Sequence, residues 1–284
     1  MLAPFTYLRA RSLEEVTALL AEHGRRARIL AGGTDLLVGM RSGEHSPEVV
    51  VDIKAVPELR RLGAENGTLS VGAAVTINGV LESPDVAERF PILIEAGRSM
   101  ASHQVRNRAT LAGNLCNASP AADMATPLLV LGARLRVGGP QGERTVPVDE
   151  FFVGCKENAL GDGEWMISVL IDTPPPGTGM GFLKQGRVRG PDLSIVNCAA
   201  VLSPDGIPTL AVGAVAEVPV KISGLDSLDA AGSIGAGIDR VTARVREAIR
   251  PIDDVRGSAE YRTDLAVLMA GQLLERLADG RGAR

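Results

Sequence analysis

The sequence predicts an α+β protein of two domains, on three observations. Over the first 175 or so residues, short apolar runs of strand type alternate with stretches of helical spacing between recognisable caps. At residues 172–181, "DTPPPGTGMG", three consecutive prolines cannot sit inside a helix or a sheet, and the glycines after them loosen the chain. Past this break come runs that read as antiparallel strands, and then a helical tail. The expected domains are residues 1–175 and 178–284, the second smaller than the first.

The elements follow in order. "SLEEVTALLAEHG" is a helix with Ser12 as its N-cap, Glu15 three positions on and Gly24 as its stop. "ARIL" and "EVVVDI" are short buried strands. "GTLSVGAAVTINGVLE" reads as strand, turn and helix start, and "FPILIEAGRSMA" as a helix. "ATPLLVLGARLRVGG" makes a helix-to-strand unit, and "GEWMISVLIDTP" a further strand. In the second domain, "GFLKQGRVRGPDLSIVNCAAVL" and "PTLAVGAVAEVPVKI" are antiparallel strands; "SIGAGIDRVTARVREAIRP" and "YRTDLAVLMAGQLLERLADG" are helices. No repeat and no low-complexity segment interrupts them.

Composition narrows the function. The chain has 284 residues, 45% hydrophobic and 23% charged, enough for a sizeable core. A net charge of −4 leaves no basic excess to neutralise phosphates, which argues against nucleic acid as the main partner. No apolar run approaches the roughly 20 residues of a membrane span, and "MLAPFTYLRARSLEEV" has no signal-peptide core. A cytoplasmic location is expected. Cys116, Cys155 and Cys198 are scattered, as are His23, His45 and His103, so neither a disulfide framework nor a metal or iron–sulfur site is expected.

Two glycine loops carry the chemistry. In "ILAGGTDLLVGM", Gly32 and Gly33 stop an apolar run; in "TLAGNLCNASPAAD", small residues again follow one. Glycines let backbone N–H groups approach a diphosphate without Cβ obstruction and form an anion-binding nest. Thr34, Thr110, Asn114 and Ser119 add neutral donors. Either loop taken alone reads first as a plain turn; the pair weakens that reading. There is no GxxxxGK[ST], and "GTGMGF" (177–182) follows prolines rather than a strand, so it reads as a linker. Arg98, Arg106 and Arg108 cluster before the second loop, as a solvated face or as attraction for a pyrophosphate or a neighbouring subunit.

"LAGGTDLL", "VRNRATLAGNLCNASPAADMATP", "FLKQGR" and "RGSAEYR" together resemble the FAD-binding subunit of the molybdenum hydroxylases, from about residue 3 to about residue 275. That family includes the middle subunits of xanthine dehydrogenases, aerobic carbon monoxide dehydrogenases and 4-hydroxybenzoyl-CoA reductase. The resemblance implies a two-lobed FAD-binding domain like those of the vanillyl-alcohol oxidase (PCMH) class. A smaller domain of antiparallel sheet plus helices, of the CO dehydrogenase flavoprotein type, would follow it. It implies an oxidoreductase subunit, incomplete alone, that passes electrons from [2Fe-2S] clusters of a small partner through FAD to an external acceptor. Molybdopterin would sit in a large partner, and the assembly would be a dimer of heterotrimers. The rival is a stand-alone FAD-dependent oxidase of the same architecture, but the second domain of only about 105 residues contains no histidine.

Carried over residue by residue, the resemblance gives Leu30, Ala31, Gly32, Gly33, Thr34, Asp35, Leu36 and Leu37 to the FAD diphosphate. Thr110, Ala112, Gly113, Asn114 and Ser119 would add diphosphate and ribityl contacts, and Asp123 would face the flavin side. Met166 and Ile167 would contact the ring, and Lys184 would place a positive charge near it. Met100 stands where the NAD-reducing member has a stacked aromatic residue, which leaves NAD, quinone or another acceptor open. "LAGGTDLL" holds no histidine or cysteine for covalent attachment, so FAD should be non-covalent. Cys116 reads as a small packing residue, and "RGSAEYR" as the cap and packing of the terminal helix. Neither the substrate nor the stoichiometry of the complex is written in this chain.

Overall fold

The structure, a computed structural model of the full chain, describes residues 2–188, 190–222 and 224–280; of the two expected domains, Met1, Arg189, Ser223 and residues 281–284 lie outside the described residues.

A small parallel lobe comes first. Strand β1 (Thr6–Arg9), helix α1 (Leu13–His23), strand β2 (Ala27–Leu30), helix α2 (Leu36–Ser42) and strand β3 (Val49–Asp52) build a sheet in the order β1-β3-β2. All four residues of the central β3 are buried, as expected for a parallel strand covered on both faces. The α1 boundaries follow from its caps. Ser12 Oγ accepts from the Glu15 amide at 3.2 Å, the Glu15 carboxylate accepts from the Arg11 amide at 2.7 Å, and Gly24 closes the helix at φ +53°.

A five-stranded antiparallel sheet forms the second lobe, in the order β4-β5-β10-β6-β7. Its hairpin β4 (Leu62–Glu65) and β5 (Thr68–Gly72) is separated from β6 (Arg134–Gly139) and β7 (Gly142–Pro147) by six short helices. These are α3 (Ile77–Leu81), α4 (Pro84–Arg89), α5 (Pro91–Ser99), α6 (His103–Arg106), α7 (Leu111–Cys116) and α8 (Ala125–Val130). The little hairpin β8 (Phe152–Gly154) and β9 (Glu157–Asn158) leads into the central strand β10 (Trp165–Asp172). Trp165, 1% exposed, donates through Nε1 to Thr17 Oγ1 of α1 at 3.1 Å and ties the lobes together.

The remaining sheet, β11 (Gly179–Gln185), β12 (Val196–Leu202), β13 (Pro208–Gly213) and β14 (Val220–Ile222), is antiparallel in sequence order and is backed by α9 (Ile234–Ala248) and α10 (Ala259–Ala278). Side chains alternate across a pleated strand, and the two cores divide accordingly. Val196, Cys198 and Ala200 of β12 and Leu210 and Val212 of β13 pack with the two helices. Ala199, Ala211, Met180 and Phe182 join the core of the first two lobes. Lys184 lies two residues beyond Phe182, and its register partner is Asn197, so both face the N-terminal lobes.

One sequence expectation is corrected here. "GTGMGF" is a linker only through Thr178; from Gly179 it is strand β11. Gly181 is needed for a close crossing: a Cβ there would run into the guanidinium of Arg276, which reaches from α10 over the strand to Glu95 at 3.0 Å. Glycine at such an approach imitates a turn in the sequence.

Candidate functional site

Between the parallel lobe, α7, the β8–β9 hairpin and the start of β10 lies a cleft of about 720 Å³. That size is ordinary for a cofactor site. The first glycine loop runs along it from the end of β2 to α2, and the first turn of α7 faces it from the other side.

The glycines are required for reasons the geometry makes specific. A Cβ on Gly32 would run into the carbonyl oxygen of Arg108, so glycine lets the two loops touch backbone to backbone. Gly33 has φ +75°, and a Cβ there would lie 2.8 Å from Leu30 Cδ1 and 3.2 Å from Leu37 Cδ1. A Cβ at Gly33 would therefore strain the turn itself. Among the described residues, the backbone N–H groups of Gly32, Gly33, Thr34 and Asp35 donate to no protein acceptor. Such a run of open amides is what an anion needs.

Part of the expected donor set is spent on local structure. Thr110 Oγ1 caps α7 by accepting from the Gly113 amide at 3.0 Å, and Ser119 Oγ accepts from Ala121 at 3.3 Å. Asn114 Oδ1 accepts from the Met124 amide at 3.4 Å. The loops are locked to each other by a bond from one motif to the other, braced from outside both: Asn117 Nδ2 donates to Asp35 Oδ1 at 2.9 Å, and Lys156 Nζ donates to Asn117 Oδ1 at 2.8 Å. Asn158 Nδ2 donates to the Cys116 carbonyl at 2.8 Å. Burial pushes the Cys116 thiol up to about 12, so it stays protonated. Three non-glycine residues at the site hold left-handed backbone, Ala101 (φ +43°), Ala118 (φ +45°) and Lys156 (φ +63°); such strain persists where surrounding structure enforces it.

The cleft also has an apolar end, walled by Ile53, Ala73, Met100 and Met166. Among its charged lining residues, the exposed Arg25 and Asp162 pair with each other at 3.0 Å at the mouth, and Glu164 is held by Arg144, outside the cleft, at 2.6 Å.

Twelve of the expected site residues line this cleft: Ala31, Gly32, Gly33, Thr34, Asp35, Leu36, Met100, Thr110, Ala112, Gly113, Asn114 and Met166. Leu30, Leu37, Ser119, Asp123, Ile167 and Lys184 are not among its walls. Leu30 and Leu37 pack beneath Gly33, and Ile167 lies one residue beyond Met166. Asp123 and Lys184 form a buried ion pair at 2.7 Å, with side chains 9% and 8% exposed. Ser194 Oγ donates to Asp123 Oδ1 at 2.6 Å, Asn197 Nδ2 donates to the same oxygen at 3.4 Å, and Lys184 Nζ also donates to the Ser99 carbonyl at 3.1 Å. Burial raises the Asp123 carboxyl above its ordinary value, against the pull of Lys184, Ser194 and Asn197. The positive charge expected of Lys184 is thus held against the carboxyl of Asp123. Arg262 of "RGSAEYR", 2% exposed, donates to the Ile195 carbonyl at 2.5 Å and to Asp254 at 2.6 Å, anchoring the segment that carries Ser194. Sequence reading missed Asn117, Lys156 and Asn158, whose partners lie between 39 and 82 residues away.

Open amides beside apolar walls suit a nucleotide cofactor that carries a diphosphate and a flat ring, and FAD has both parts. The chain belongs to the family described as the FAD binding domain in molybdopterin dehydrogenase, which matches residues 3–174, and residues 182–277 match the CO dehydrogenase flavoprotein C-terminal domain. It is 33% identical to the carbon monoxide dehydrogenase medium chain of Hydrogenophaga pseudoflava over 99% of this chain and 98% of that one. It is 31% identical to caffeine dehydrogenase subunit beta of Pseudomonas sp. (strain CBB1) over 97% and 95%. Reconstituted CO dehydrogenase from Oligotropha carboxidovorans superposes with a TM-score of 0.93 at 29% identity, covering 98% of each chain. The protein is thus an FAD subunit of the molybdenum hydroxylase family, an oxidoreductase component of α+β fold. Among the described residues no helix is long and apolar enough to cross a membrane.

Proposed function

We propose that this chain is the electron-transfer flavoprotein of a three-part molybdenum hydroxylase in the cytoplasm. It takes electrons from [2Fe-2S] clusters in a small partner and passes them to an external acceptor. A large partner oxidises the substrate at molybdopterin, and two heterotrimers pair. Residues 1–175 serve as the FAD-binding domain and residues 178–284 as the domain that braces it. The observation that carries this reading is the cleft, with open amides at Gly32–Asp35 and an apolar end at Met100 and Met166.

FAD, held without a covalent bond, supplies the redox chemistry of its ring; the protein binds and orients it. The amides of the first loop hold the diphosphate. The Asp35–Asn117–Lys156 bridge fixes the gap between the loops and brings a cation to the edge of the anion site. The sulfur side chains of Met100 and Met166 give the ring a polarisable, water-poor wall. Relatives named for substrates as unlike as carbon monoxide and caffeine match this chain about equally well, which supports placing substrate choice in another subunit.

The test is purification of the chain alone and with its co-expressed partners. Acid precipitation should release all the yellow colour, and only the complex should reduce dye when given N-heterocycles, aldehydes or carbon monoxide. Substrate-dependent dye reduction by the lone chain would overturn the subunit reading.

A further inference from the structure

We propose that Arg106 is a positioning residue for the apolar end of the cleft, setting where Met100 stands. The inference rests on reading the cleft as the FAD site.

Helix α5 ends at Ser99, and the chain turns sharply through Met100 and Ala101 before α6 begins at His103. Ala101 takes φ +43°, a conformation that costs any residue with a Cβ. Three carbonyls of this turn point to one side, and a single guanidinium gathers them. Arg106 Nη1 donates to Met100 O at 2.7 Å, to Ala101 O at 3.0 Å and more loosely to Arg98 O at 3.5 Å. The clamp is itself held. Arg106 Nε donates to Asn78 Oδ1 at 3.2 Å; Asn78 is 4% exposed and donates onward to Asn107 Oδ1 at 2.6 Å and to the His103 carbonyl at 3.2 Å. The rigid guanidinium holds Asn78 through Nε and the carbonyls through Nη1 at once; an ammonium, with a single nitrogen, cannot reach both sides in that geometry.

The consequence runs both ways along the turn. Met100 faces the cleft, while the carbonyl of Ser99, one residue back, accepts from Lys184 of the buried ion pair. Releasing the clamp would let Ala101 relax toward ordinary backbone and swing Met100, together with the wall it provides. Neither a solvated arginine nor one reserved for the diphosphate would make these contacts.

The experiment uses the full chain with methyl-labelled methionine, free of FAD and loaded with it, with the Met100 resonance assigned by Met100→Leu. Arg106→Lys should shift the Met100 methyl resonance without FAD. It should also change the visible circular dichroism of bound FAD and raise the FAD dissociation constant about five- to tenfold, on the order of 1 kcal/mol. Arg106→Met, which removes every donor of the clamp, should shift the resonance at least as far. In a Met100→Leu background, Arg106→Lys should have little remaining effect on the flavin spectrum, because the two residues act in series. An unmoved Met100 resonance in both folded Arg106 variants overturns the proposal whether or not FAD binds. A moved resonance in a chain that takes up no FAD upholds the clamp and rejects the cofactor reading of the cleft.

Discussion

The cleft and the Asp123–Lys184 cluster lie back to back on the same turn, Met100 facing one and Ser99 the other, yet they are built on opposite rules. In the cleft, the amides of Gly32 to Asp35 are left without protein acceptors. In the cluster, the charged and polar groups are committed to one another: Lys184 to Asp123 and Ser99, Asp123 to Ser194 and Asn197, Asn197 to Thr126 at 2.8 Å. A site that takes a ligand keeps donors in reserve, whereas a joint between two parts of a protein spends them. Family resemblance marks both as neighbours of the cofactor; only the hydrogen bonding separates their work.

The comparison breaks first at Lys184. Lys184→Met leaves Asp123 buried and unpaired, which should cost about 3–5 kcal/mol of stability, read by denaturant unfolding. Adding Asp123→Asn should recover most of it. Because burial already raises the Asp123 carboxyl, the single variant's deficit should shrink as pH falls and the carboxyl takes up a proton. A shift in flavin potential with stability unchanged would show that Lys184 serves the cofactor rather than the joint.

Gly32→Ala comes next. Its methyl meets the Arg108 carbonyl, backbone against backbone, and should cost about 3 kcal/mol. Flavin content should fall close to zero while far-UV dichroism persists; a folded variant with full flavin content would reject the loop contact as the base of the cradle.

A smaller effect belongs to the anchor behind the joint. Burial pushes the Asp254 carboxyl upward, but hydrogen bonds from Arg256 and Arg262 outweigh it and hold the group well below the usual carboxylate range. A depressed carboxyl contributes stability above its unfolded pKa, near 4, and loses it as pH falls through the folded value. Thermal melts between pH 5 and pH 3 should therefore drop more steeply in the wild type than in Asp254→Asn. The smallest effect is at the mouth. Arg25 and Asp162 are both highly exposed, so Arg25→Ala should change FAD affinity less than about twofold; a larger loss would make that pair part of the binding site.

Much of this was legible locally. Ser12, Glu15 and Gly24 announced α1 because caps act within a few residues, and the tandem glycines announced the loop. Strand β1 was missed because "TYLR" is mostly exposed and is a strand only through its pairing with β3, some 43 residues on. Asn117 and Lys156 were missed because their meaning depends on Asp35 being brought beside them. Gly181 was misread because a glycine that clears space for Arg276 looks, in sequence, like one that turns the chain.

Strand order also sets a clock. β10 is the last strand of its sheet to leave the ribosome, yet it lies at the centre, with Thr68 waiting for Asp172. Until it arrives, β4–β5 and β6–β7 are two separate hairpins, each marginal alone. Met166, on β10, is a wall of the cleft, so no finished pocket exists while the nascent chain is shorter than that strand. Cofactor uptake is therefore a late event in the life of this polypeptide, falling after the middle sheet has closed.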